Sequence, residues 1–509
     1  MSCSKIFSGD LPELIYEIIK NFQNDYSTLY SCVLINRLWC RLAIPLLWEN
    51  PFSYFTNNYN FIEVYLQNLN DDLKTKINEY QIIDYLLPSN KVLFNYPSFI
   101  RYLNIYKIII SIERWLKSNY KTSTTPEFKI LINISLIKSF IENKVNLHTF
   151  EIEIICYNNY DDKIYDNILE IILQDSNFIN NIKNLKFSIL SSNTLIEHIS
   201  QITSSQQNLK RILLGYYNLY LYQSLLLSKE FNCSNTLNTI IFYYVDFKGI
   251  NNLVEIFEKL NVLESVHIIY CISLDSFIQQ IINLTKPFKL KSLYLYRKWN
   301  INPLQLLLQL LQKCGNYLEN LGYNSNYSPS LRQLLELITK YCRNIKVLSL
   351  FGVEAHIIPT VFDLIENIKQ NLNYLSIDIK GFRADYNVKL LILQNLGKAL
   401  PSKLEYLGLF IYVKANDFEV FLKNSQDTFS KKLVINNLEE NGDILPYIKE
   451  HIMKKKRVKY LAIKDNFNGK SIDLFNKKDE VKEFNLYNIK VLNYDNLYFD
   501  IYRYVNEID

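Results

Sequence analysis

The run Leu290-Lys291-Ser292-Leu293-Tyr294-Leu295 is followed by Leu304, Leu307, Leu308 and Leu311. In the first stretch apolar and variable residues alternate, the period of a strand whose successive side chains point to opposite faces. In the second, intervals of three and four place the leucines on one stripe of a helix. The unit is therefore strand, turn, helix, and it recurs. The pattern of an apolar residue, two variable ones, an apolar, one variable and an apolar begins at Leu147, Ile182, Leu209, Leu237, Leu263, Leu290, Leu318, Ile345, Leu372, Leu404, Val458 and Val481. Weaker copies stand at Ile100, with Leu103 and Ile105, and near Leu433. From Leu209 to Leu372 the steps are 28, 26, 27, 28, 27 and 27 residues, which marks an internal repeat. One unit cannot bury the apolar faces of both its strand and its helix, whereas stacked neighbours share a continuous core. Because helices are wider than strands, strands on one side and helices on the other predict a curved stack with parallel strands on its concave face.

The repeats resemble leucine-rich repeats of the longer helical type. They depart from that family in using Ile, Phe, Val or Tyr at many leucine positions and in lacking a regular Asn or Cys after the strand. Glycine is sparse, 11 in 509 residues, so asparagine is expected to supply many turns through its tolerance of left-handed backbone.

The first fifty residues read differently. Pro12 suits the first turn of a helix, and Leu14, Ile15, Ile18 and Ile19 continue it as an apolar stripe to about Phe22. Ser27 is expected to cap a second helix carrying Leu29, Cys32 and Val33. Asn36 is expected to cap a third, carrying Trp39, Leu42, Ala43, Leu46 and Leu47, which Pro45 bends or ends. Apolar side chains exceed what so small a unit can bury, so a partner or the following domain should cover the surplus.

The order Leu11-Pro12-Glu13-Leu14, the Leu29–Leu34 middle, Asn36-Arg37-x-Trp39-Cys40 and Pro45-x-Leu47-Trp48 together resemble the F-box, over about Leu11 to Phe52. In that family the motif docks the adaptor Skp1 and, through it, the cullin of a ubiquitin ligase. The resemblance implies Leu11, Pro12, Leu14, Ile18, Val33, Trp39, Leu47 and Trp48 as the adaptor surface or its support. A plainer reading makes the same helices a cap over the first repeat. The expected fold is α/β: an F-box-like helical domain over 8–52, a helical linker or capping region over 53–94, and a leucine-rich-repeat-like solenoid over 95–509.

A chain of 509 residues exceeds the usual single core, and a hydrophobic fraction of 49% excludes a mainly disordered one. Lys plus Arg number 56 against 51 Asp plus Glu, a net charge of +5, so neither nucleic acid nor membrane is expected as a partner. Met1 to Gly9 lacks a secretory apolar segment and no long apolar run follows, which predicts a soluble protein of the cytoplasm or nucleus. Eight cysteines without a C-x-x-C pair predict buried, reduced thiols and no zinc cluster.

On a repeat scaffold the variable strand positions are free to choose a partner. Read across successive strands they are Tyr243, Ile269, Tyr296, Asn324, Phe351, Asp378 and Phe410, with Tyr294 within its own strand. Tyr243, Tyr294, Tyr296, Phe351 and Phe410 form a candidate anchor strip for a target protein. The chain holds 39 Tyr and 29 Phe, so such a row also arises from composition alone. Arg297-Lys298-Trp299 is either a corner for an acidic partner or a solvated rim. Lys454–Arg457 is either an anionic-surface patch or a helix terminus, and His267 is placed on an outward strand position. No catalytic motif and no cofactor site is expected. The function that follows is substrate recognition in an SCF-type ubiquitin ligase, with a pure repeat scaffold as the alternative.

Overall fold

The protein is described by a computed structural model covering residues 11–23, 25–53, 59–82, 93–120, 124–154, 159–189, 195–216, 233–296, 304–324, 331–380, 386–437, 443–467 and 470–508. It is α/β, with a mostly parallel, open sheet whose strands follow one another in chain order. Two compact units divide it: Met1–Ile240 with Lys259–Val262, and Ile241–Glu258 with Leu263–Asp509.

The first unit opens with α1 (Pro12–Lys20), α2 (Tyr26–Val33) and α3 (Arg37–Leu47). Asp25, rather than Ser27, caps α2 by accepting the Thr28 N–H at 3.1 Å; its carboxylate reaches the first free amides from one residue further back. Asn36 caps α3 as expected, accepting from Trp39 N at 3.0 Å. Pro45 sits inside α3, which runs on to Leu47. Helices α4 (Phe61–Gln67) and α5 (Asp71–Asn78) follow in the linker region. The repeats then begin: β1 (Tyr102–Asn104), α6 (Ile105–Asn119), α7 (Pro126–Glu142), β2 (Thr149–Ile154), α8 (Asn159–Gln174), β3 (Asn184–Ile189), α9 (Ile196–Ser204) and β4 (Arg211–Gly215). Each strand pairs parallel with the next.

The second unit carries most of β5 (Thr239–Tyr243), then α10 (Leu253–Lys259, of which only Lys259 belongs to the first unit), β6 (Ser265–Ile269), α11 (Leu274–Ile281), β7 (Leu290–Tyr296), α12 (Leu304–Cys314), β8 (Asn320–Asn324), α13 (Leu331–Tyr341), β9 (Val347–Glu354), α14 (Ile358–Ile368), β10 (Tyr374–Lys380) and α15 (Tyr386–Ala399). It continues with β11 (Lys403–Ile411), α16 (Ala415–Asn424), β12 (Phe429–Asn437), α17 (Leu445–Ile448), β13 (Val458–Phe467), β14 (Lys470–Asp473), α18 (Lys478–Leu486), β15 (Lys490–Val491), α19 (Tyr494–Leu497) and α20 (Ile501–Ile508). From β6 to β13 the pairing is parallel, and β14 turns back antiparallel on β13.

One hydrogen-bond device repeats. In several repeats the carbonyl before one strand accepts two successive N–H groups from the start of the next strand. Arg101 O takes His148 and Thr149, His148 O takes Lys183 and Asn184, and Lys183 O takes Lys210 and Arg211. In the second unit Glu319 O takes Lys346 and Val347, Lys346 O takes Asn373 and Tyr374, and Asn373 O takes Glu405 and Tyr406. Asparagines serve the other edge: Asn344 and Asn371 donate from their side chains to Asn316 O and Arg343 O of the preceding repeat, at 2.8 and 2.9 Å. These bonds satisfy carbonyls that helix ends and turns leave over.

Two further expectations are corrected. The copy at Val481 is not a strand but α18, because Val481 and Phe484 lie three apart and Asp479 and Glu480 favour a helix N-terminus; the strand comes later, at Lys490–Val491. Asparagine does not supply many of the left-handed turns among the described residues. Asn252 and Asn488 do, but Tyr216, Tyr244 and Tyr270 each stand just past a strand with φ of 59°, 54° and 57°. In the second unit the rings of Tyr244 and Tyr270 lie 5.2 Å apart, a contact that helps offset a backbone bulky residues rarely adopt. Lys454–Arg457 follows the helical turn Lys449–Met453 and precedes β13, in keeping with the helix-terminus reading, and Arg457 is buried, donating to Thr428 O, Leu422 O, His451 O and Ser425 O. A guanidinium with five donors is suited to filling such a carbonyl-lined slot.

Candidate functional site

The three N-terminal helices have their own core, formed by Ile15, Ile19, Leu29, Cys32, Trp39, Ala43 and Leu46. Among the residues implicated in adaptor docking, Trp39 is buried in this core and Val33 and Leu47 pack against it, so they support the module. Trp48 lies over Tyr96 at 4.3 Å and edge-on to Tyr65 at 5.4 Å, which fixes the module to the helices that follow. Leu11, Pro12 and Ile18 are half-buried, and Leu14 is 45% exposed. Three further apolar residues stand open to solvent: Tyr30, Leu34 at 69% and Ile35 at 47%. Leu34 and Ile35 lie at the α2–α3 turn. Periodicity missed them because an apolar pair just past a helix end carries no face, yet their place between a capped helix and the next cap was a readable signal.

The strand face of the second unit follows from the register. His267, Ser292, Asn320, Val347, Tyr374, Tyr406, Lys432 and Tyr460 pair in one row across β6 to β13. Beside it runs a row of smaller residues, Gly322, Ser349, Ser376, Gly408, Val434 and Ala462, with Tyr294 at its start. The Tyr294 ring lies over Gly322, where an added Cβ would meet its Cδ1 at 1.9 Å. Small side chains thus leave a trough between bulkier rows.

That trough is filled by the chain itself. Tyr494 and Leu497 pack with Tyr406, Val434 and Ala462. Phe499 sets its ring against Tyr374 and Tyr406, at 5.7 and 5.5 Å, and its N–H donates to Tyr406 Oη at 3.1 Å. Tyr504 meets Tyr374 at 4.9 Å, Tyr498 meets Phe410 at 5.9 Å, and Tyr502 meets Tyr243 at 4.3 Å. Strands β5 and β10 are five places apart in the order, about 24 Å of flat sheet, whereas a helix with side chains is about 10–12 Å across. Both touch α20, so the strand face of this unit bends round that helix. Burial holds the Tyr406 and Tyr494 phenols well above the usual tyrosine range.

The anchor strip is therefore differently placed from its expected open position. Tyr243 and Phe410 are half-buried under α19 and α20, Phe351 packs on Phe410 at 5.0 Å, and Tyr294 is 2% exposed. The Tyr296 side chain and Arg297-Lys298-Trp299 lie outside the described residues. His267 is buried with Nδ1 2.7 Å from Ser292 Oγ, a ladder contact that leaves no outward ring. Burial pushes the thiols of Cys271 and Cys342 up to about 12, which makes them inert as nucleophiles.

The first unit's strand face is of another kind. Asn104, Glu151 and Lys186 pair in register, and Asn104 Nδ2 donates to Glu153 Oε2 at 3.2 Å. Burial raises the Glu153 carboxyl above its ordinary value and lowers the Lys186 ammonium, whose charge Glu151 partly restores. Sequence reading passed over this polar face because it followed the aromatic positions of the later, evenly spaced repeats. Among the described residues no group of His, Cys, Asp and Glu is arranged to hold a metal, and no helix is long and apolar enough to cross a membrane. No family model matches the chain, and no curated protein does.

Proposed function

We propose that the chain is a substrate receptor of an SCF-type ubiquitin ligase: F-box-like helices α1 to α3 dock Skp1 and, through it, a cullin, and a leucine-rich-repeat-like array holds a target protein. Catalysis then lies in other subunits, and the receptor raises the effective concentration of a target lysine. The observation that carries the reading is a three-helix module with its own core that still presents Leu14, Leu34 and Ile35 to solvent. A module that only capped the first repeat would turn such side chains inward, which is the scaffold alternative.

Co-expression with Skp1 and size-exclusion chromatography test it. The wild type should elute as a stable complex, and Leu14→Ala/Leu34→Ala/Ile35→Ala should weaken it at least tenfold without loss of melting temperature, since these residues support little of the core. Trp39→Ala is unsuitable, as it opens the core itself. A folded wild type that forms no complex leaves the scaffold reading.

A further inference from the structure

We propose that the strand-entry edge of the first unit is a docking ridge for an acidic, extended segment of a target protein, whose carboxylates sit among Lys183, Lys210 and His148. The inference deepens the target-binding half of the proposed function and rests on it only for the nature of the partner; Skp1 plays no part in it. Arg101, His148, Lys183 and Lys210 stand one residue before β1, β2, β3 and β4 in turn, and the register of those strands sets all four at one level. Lys183 and Lys210 are exposed, Arg101 and His148 half-buried. Arg101 is already engaged: its Nη1 donates to Asn146 O at 2.8 Å, and its charge acts on the Glu49 carboxylate. Among the described residues Lys183 and Lys210 form no ion pair.

The same level of the second unit is charge-balanced. Lys291, Glu319, Lys346, Asn373, Glu405 and Lys431 follow one another there, Glu319 being held by Lys291 and Lys346 and Glu405 by Lys431 at 2.9 Å. A carboxylate is thus the group this edge takes between two lysines, and the first unit has the lysines without it. His148 completes the ridge. Asn184 Nδ2 donates to Thr149 Oγ1 at 3.2 Å and approaches His148 Nδ1 at 3.4 Å, which leaves the buried Thr149 hydroxyl to donate to Nδ1 at 3.2 Å. The ring proton then stands on Nε2, as a donor. Burial and the charges of Lys183, Arg101 and Lys210 hold the imidazole below its ordinary value, so this donor is a neutral one at pH 7. Four levels at the strand spacing span about 14 Å. Three carboxylates on one side of an extended chain, two residues apart, span about 13 Å.

The test is a fluorescein-labelled peptide of Glu-Ser repeats, read by anisotropy with the full chain at low salt, where such contacts are least screened. It should bind wild type more tightly than a Gln-Ser peptide of equal length, and Lys183→Gln/Lys210→Gln should weaken it about fivefold at an unchanged melting temperature. Lys117→Gln/Lys138→Gln, which removes the same charge from exposed positions on α6 and α7, should leave binding unaltered. Equal loss in the two variants would reduce the ridge to net charge and overturn the proposal, as would a folded wild type that binds the two peptides alike or neither. An oligothymidylate that displaces the Glu-Ser peptide at lower concentration than the unlabelled peptide does would assign the ridge to nucleic acid and overturn it too. Bound carboxylates should also raise the His148 pKa, followed by NMR of histidine-labelled protein with His148→Gln as the reference; an unmoved His148 in the bound state overturns its part in the ridge. Skp1 complex formation, measured separately, fails or succeeds without bearing on these results.

Discussion

Gly322 is a strand residue whose missing side chain is used, for the Tyr294 ring occupies the space a Cβ would take. Gly322→Ala should therefore cost about 1–3 kcal/mol, as overpacking of a full site does, seen as a lower melting temperature with the secondary structure kept. The signal was present in the sequence, since a glycine inside a strand pattern marks close approach. Asn36 was legible for the same local reason: a cap needs only its own next three residues. His267 and Arg457 were not. Their neighbours, Ser292 in one case and the carbonyls of Leu422, Ser425 and Thr428 in the other, lie about one repeat away, and nothing at the residue itself distinguishes a buried ladder position from an open one.

At the scale of elements, charge joins successive repeats. Glu319, just before β8, meets Lys291 of β7 on one side and Lys346, before β9, on the other, the latter at 2.8 Å. Burial opposes its charge, but the two ammonium groups prevail and hold the carboxyl below its ordinary value. A depressed carboxyl stabilises the folded state above its unfolded pKa, about 4.3, and that contribution is lost as pH falls through the folded value. Glu319→Gln should thus flatten the acid limb of stability against pH below about 4.3, with little change in its slope at neutral pH; an unaltered acid limb would remove the bridge from the account. The strands and helices of the array were largely legible because each is specified by its own period and by a neighbour of similar pattern. Val481 misled because an apolar pair three apart serves a strand start and a helix equally. The docking of α19 and α20 was unreadable, since their partners are set by strands far away in the chain and no local period encodes them.

At the scale of the molecule, most contacts join adjacent repeats, the double-acceptor carbonyls above all, and stability is then a sum of neighbour terms. The docking of Tyr494–Ile508 is the exception: Tyr502 and Tyr243 are 502 − 243 = 259 positions apart. A contact of that separation carries a large closure entropy and forms after the local ones. Phe499→Ala should accordingly speed unfolding while leaving the main refolding rate within about twofold, as expected of a residue unstructured in the transition state, measured by stopped-flow fluorescence. There is also a consequence in time. Synthesis proceeds at roughly 5–20 residues per second, so β5 emerges well over ten seconds before its aromatic cover. Through that interval Tyr243 and then each later strand stand uncovered, and the chain holds nothing that can close the face until residue 502 has been made.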